Sequence, residues 1–101
     1  MQQYYQPLYQ RARDLQFKVH DAMGDQNHPM ARTLRNEVQH LTDDLEMQKN
    51  PRDIENRIKT IQHTLLESQN TSGSVMNVDH SANLHRNYEL MRVDVRRLPH
   101  Y

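Results

Sequence analysis

Apolar residues recur at intervals of three and four through four separate segments of this chain. Tyr5, Leu8, Ala12, Leu15, Val19 and Ala22 form the first set, and Ala31, Leu34, Val38, Leu41 and Leu45 the second. Ile54, Ile58, Ile61 and Leu65 form the third, and Leu84, Tyr88, Met91, Val95 and Leu98 the fourth. That spacing gathers each set onto one stripe of an α-helix. Nothing alternates with period two, so no sheet is expected. A helix with a single apolar stripe must bury it against another element, which makes the chain a helix-on-helix fold.

Turn chemistry separates the stripes. Pro7 suits a first helical turn, where its missing N–H costs nothing, and Gly24 can take the left-handed conformation that ends a helix. Asp25-Gln26-Asn27-His28 is a polar turn that leads into Pro29. Asn50-Pro51-Arg52-Asp53 reads as a cap, a proline at the first helical position and an acid in the first turn. Pro99 follows Arg96 and Arg97, cations placed where a helix ends. The predicted helices are therefore 6–23, 29–48, 51–69 and 80–98. The small polar run from Asn70 to Ser74 marks a flexible loop over about 70–78. Asp53 with Arg57, and Glu55 with Lys59, are acid-before-base pairs four apart, expected on the outer surface of the third helix.

At 101 residues the chain has room for one domain. Short connections force antiparallel neighbours, so the expected fold is an all-α antiparallel four-helix bundle. Because the spacings also suit 3.5 residues per turn, a long coiled-coil hairpin with an additional packed helix is the alternative. Apolar residues are only 35% of the chain, Trp is absent and Phe occurs once. So thin a core calls for extra burial, and self-association is its cheapest source. Tyr4, Tyr5, Tyr9 and Phe17 exceed what one stripe can bury and are the candidate homodimer contacts.

Thirteen basic residues balance thirteen acidic ones, which removes the usual electrostatic case for nucleic acid or an anionic membrane. No apolar run approaches the roughly 20 residues of a membrane span, and the opening Met1-Gln2-Gln3-Tyr4-Tyr5 has no signal-peptide character. The expected location is the cytoplasm. With no cysteine, disulfides, thiolate catalysis and Cys-ligated zinc are excluded. Asn70-Thr71-Ser72 is formally a glycosylation acceptor, which has no role without secretion.

Seven histidines invite a metal hypothesis, yet no pair is four apart in the manner of zinc helices. The best candidate is Glu37 with His40, which matches the Glu-x-x-His element of di-iron bundles but lacks a second copy and two further glutamates. The stripe puts Glu37 at its edge and His40 towards water. His40 with Asp43 and Asp44, and His85 with Glu89, pair imidazole with carboxylate on polar surfaces that offer no pocket. No glycine-rich phosphate loop or strained serine elbow occurs. Arg86, Arg92, Arg96 and Arg97, interleaved with Tyr88 and Tyr101, are the nearest thing to a nucleic-acid surface, though Glu89 and Asp94 dilute them. Met23, Met30, Met47 and Met76 fall off the stripes or in loops.

The sequence thus predicts a non-enzymatic helical interaction module without a cofactor or small-molecule substrate, which engages another protein or a copy of itself. No motif names a family. Bacterial immunity proteins are small four-helix bundles of similar length, so an immunity or regulatory role is one form such a module takes, on analogy of fold class alone. A metal-binding bundle and a nucleic-acid-associated regulator are the alternatives.

Overall fold

Residues 4–24, 27–70 and 76–98 are described by the computed structural model, and their regular structure is entirely helical. The elements are α1 (Gln6–Met23), α2 (Pro29–Glu46), α3 (Pro51–Asn70) and α4 (Val78–Arg96). Each boundary has a local cause. Gly24, at φ 61°, ends α1 and returns its N–H to the His20 carbonyl at 3.0 Å. His28, the last residue of the polar turn, caps α2: its Nδ1 accepts the Met30 N–H at 3.1 Å. Gln48 turns to φ 55°, so α2 ends at Glu46, two residues before the expected 48. Asn50 then accepts the Arg52 N–H at 2.8 Å and opens α3.

The last helix starts earlier than its sequence suggests. Asn77 accepts the Asp79 N–H at 2.7 Å, and as cap it brings the start to Val78 rather than residue 80. Of the expected loop over 70–78, Asn70 belongs to α3 and Met76 is buried, while residues 71–75 lie outside the described residues.

Packing runs α1 to α2, α2 to α3, α3 to α4 and α4 back to α1, with α1 and α4 the most sparsely joined. Each helix therefore has two neighbours, and the chain is an up-and-down four-helix bundle rather than a hairpin with an appended helix. All four stripes meet in one core, with Met23 and Met76 added to it. Met23 belongs to the first stripe, four residues after Val19, which corrects its placing off the stripes, while Met76 joins the core from the turn before α4.

Residues seven apart on either flank of a stripe serve the same seam. Glu55, Gln62 and Gln69 of α3 face α4, whereas Arg57 and Thr64 of α3 face α2. This corrects the expected pairs along α3. Glu55 takes Arg96 of α4 at 2.6 Å, and Arg57 takes Asp44 of α2 at 3.1 Å, because both residues border seams instead of open surface.

The accessible surface is 6174 Å², close to the roughly 6000 Å² of a compact monomer of 12.1 kDa. Though poor in large side chains, the core closes within one chain. The surface open to a partner is therefore the outer faces of the helices.

Candidate interaction face

The broad face formed by α1 and α2 carries the most exposed aromatic among the described residues, Phe17, at 75%. The seam beneath is tied by amides and a hydroxyl. Thr42 donates to Gln16 Oε1 at 2.8 Å, Gln16 Nε2 donates to Gln39 Oε1 at 2.6 Å, and Gln39 Nε2 donates to Asp43 Oδ1 at 3.0 Å. Such a relay holds the two helices in register and puts Phe17 level with Gln39.

Phe17 stands between two open hollows. One, of about 450 Å³, is bordered by Tyr9, Arg13, Gln16, His20, Asp43 and Glu46, and the other, of about 480 Å³, by His20, Asp21, Gly24 and Arg35. The Arg13 guanidinium lies 5.8 Å from the centre of the Tyr9 ring, a cation–π distance. Arg35 donates to the Gly24 carbonyl at 3.0 Å. An exposed aromatic among arginine, tyrosine and histidine has the composition of protein interfaces.

The four aromatics singled out from sequence part company here. Tyr4 is 53% exposed and Tyr9 half-buried, but Tyr5 is in the core at 6% and donates its hydroxyl to the Lys49 carbonyl at 2.9 Å. Tyr5 stands on the first stripe, so its ring turns inward, and it is withdrawn as a surface contact. Only Tyr9 and Phe17 of the four border the hollows.

The other candidate residues lie elsewhere. Glu37 sits at the α2/α3 seam, where its Oε1 accepts from Thr64 Oγ1 at 2.9 Å while its Oε2 is buried without a hydrogen-bond partner. Burial pushes its carboxyl above the ordinary value of 4.5, against the lowering effect of the Thr64 bond. His40 is exposed on the same helix. Among the described residues no three acids or histidines come together as metal ligands.

Three of the four C-terminal arginines are tied to acids. Arg92 meets Glu89 at 2.8 Å, Arg96 meets Glu55 at 2.6 Å and Arg97 reaches Asp94 at 3.8 Å, while Arg86 is exposed. Hydrogen bonds from Gln62 and Arg92 hold Glu89 below the usual carboxylate range, and the bond from Arg96 does so for Glu55. The positive charge of α4 is thus largely spent within the bundle.

Arg13, Asp21, Arg35 and Glu46 were not singled out from sequence, and Asp43 only as a carboxylate beside His40. Charged residues outside a stripe look alike until the register between α1 and α2 is known. No described helix is long and apolar enough to cross a membrane. No family model, curated protein or solved structure matches this chain.

Proposed function

We propose that this chain is a non-enzymatic interaction module that docks onto a protein surface through its α1/α2 face. The observation that supports this reading is Phe17, 75% exposed between two hollows on a bundle whose own core is complete. An aromatic left in water serves nothing inside the fold, while aromatic residues, Phe among them, are enriched at the cores of protein interfaces. The helices supply a rigid platform, so little conformational entropy is lost on docking.

A photo-crosslinking phenylalanine analogue in place of Phe17, in the intact chain within the cells that make it, tests this. A discrete protein adduct is expected from position 17 and none from the same analogue at Leu90, an exposed apolar position on α4. Absence of an adduct at 17, or equal yields at both positions, overturns the reading.

A further inference from the structure

The charges of the α1/α2 face are arranged in mirror order about Phe17. Arg13 and Asp21 stand four residues to either side of it, a little over one helical turn. On α2, Arg35 and Asp43 stand four residues to either side of Gln39, with Arg32 and Glu46 seven to either side. The bond from Gln16 to Gln39 sets the centres of both patterns at one level. The helices run antiparallel, so the face is a checkerboard: Arg13 shares the first hollow with Asp43 and Glu46, and Asp21 shares the second with Arg35.

A surface of this kind is complementary to itself. We propose that the α1/α2 face forms a two-fold interface with a second copy of this chain, α1 antiparallel to the partner's α1 and the two Phe17 rings meeting near the axis. Rotation about an in-plane axis through Phe17, perpendicular to the helices, lays Arg13 opposite the partner's Asp21. The same rotation lays Asp43 opposite the partner's Arg35, and Glu46 opposite the partner's Arg32. Each favourable pair occurs twice, as in any isologous interface. A two-fold axis along the helices would also match the charges, by setting Arg13 on the partner's Asp43 and Glu46. That alternative leaves each Phe17 on the partner's polar α2 side chains, whereas the perpendicular axis buries each ring against the other.

Size sets the strength to be expected. Helices of 18 residues at 1.5 Å per residue give a face about 27 Å long, and the bundle is 20 Å across. The resulting ~500 Å² of flat area falls below the roughly 800 Å² that each partner of a standard interface covers, in the range of weak associations. Association should therefore be read at micromolar concentrations.

This inference rests on the interaction reading and names its partner. Sedimentation equilibrium of the full chain from about 1 to 200 µM, a range centred on micromolar dissociation constants, tests it. Dimer is expected for the native chain, and Phe17→Ser should weaken it at least about tenfold, as loss of a central aromatic anchor does. Arg13→Asp alone, or Asp21→Arg alone, sets like charges opposite each other and should weaken the dimer. Arg13→Asp with Asp21→Arg in one chain exchanges the partners and should restore it. Arg13 and Asp21 are two turns apart within a chain, so a purely intramolecular role predicts no such restoration. A native chain that stays monomeric throughout, a dimer unmoved by Phe17→Ser, or a double reversal weaker than either single one overturns the proposal. Restoration of Arg13→Asp only by mixing with chains carrying Asp43→Arg and Glu46→Arg overturns it in favour of the axis along the helices. A monomer that still gives an adduct with another protein from position 17 defeats this inference and leaves the interaction reading standing.

Discussion

The α1/α2 and α3/α4 seams occupy equivalent places on opposite sides of the bundle, yet they use polarity in opposite ways. Across the α3/α4 seam, acids are consumed inside the chain. Gln62 donates to Glu89 at 2.8 Å, Arg92 pairs with the same carboxylate, and Arg96 closes on Glu55. Deeper in, Ser81 donates to the Leu65 carbonyl at 3.1 Å and accepts from Gln69 at 3.0 Å. The α1/α2 seam is fastened instead by neutral groups, Thr42, Gln16 and Gln39, with Arg13 resting on Tyr9. One seam spends its charges on holding helices together, and the other keeps an aromatic and a charge pattern at the surface.

The largest effects should come from the core and should leave the exposed face untouched. Ile61→Ala removes a side chain with no exposure and should cost about 2 to 5 kcal/mol in urea unfolding. Phe17→Ser, measured below the dimerisation range, should stay within about 0.5 kcal/mol. A large loss at Phe17 would mean that its ring supports the monomer and would erase the contrast. Next in size is Gln62→Ala, which strips a buried amide from Glu89 and should cost about 1 to 2 kcal/mol. Gln39→Ala on the other seam lies in solvent and should cost under about 0.5 kcal/mol. Equal losses would show that both seams hold the bundle alike.

The four stripes and the boundaries at Gly24 and Asn50-Pro51 were legible because they depend on local spacing and turn chemistry. The placing of polar residues was not. Glu55 and Arg57 are two apart on one helix yet bond to different neighbours, a fact that depends on which helix lies to each side. His28 was missed as a cap because imidazole caps less often than the short oxygen-bearing side chains. Phe17 was noticed as surplus to its stripe, and its exposure follows from the same periodicity. The charge order around it emerged only from the register that Gln16 and Gln39 fix. Tyr5 misled because a stripe residue and a surplus aromatic look the same before the core is assembled.

Titration should separate the seams in sign. Glu55 and Glu89 have folded values below 4.5, so each adds stability above 4.5 that is lost as pH falls through its lowered value. Glu37 runs the other way. Its folded value is raised, so the fold favours its neutral form, and stability falls as pH rises through that value. Glu37→Gln should therefore stabilise at pH 7, by less than about 1 kcal/mol for a half-buried group, and the gain should vanish below 4.5, where native and variant are both neutral. Thermal unfolding at pH 7 and pH 3.5 reads both. A gain that persists in acid would mean the effect is packing and not charge.

At Tyr88 the effect should be small, and its sign is the informative part. The ring lies on the α4 stripe with no exposure, and its hydroxyl reaches no hydrogen-bond partner among the described residues. Burial pushes its ionisation above the ordinary value of 10.0, so the group stays a neutral phenol. A buried hydroxyl without a partner loses its hydration and gains nothing, a cost of about 1 to 3 kcal/mol set against the packing of the ring. Tyr88→Phe keeps the ring and removes only that oxygen, so unfolding should show no loss and up to about 1 kcal/mol of gain. Removing a polar group that belongs to the α3/α4 seam, as in Gln62→Ala, should cost stability. Here a polar atom of α4 that takes no part in the seam should be dispensable. A loss above about 1 kcal/mol would mean that the hydroxyl is bonded after all, and would extend the polar network of that side into the centre of the core.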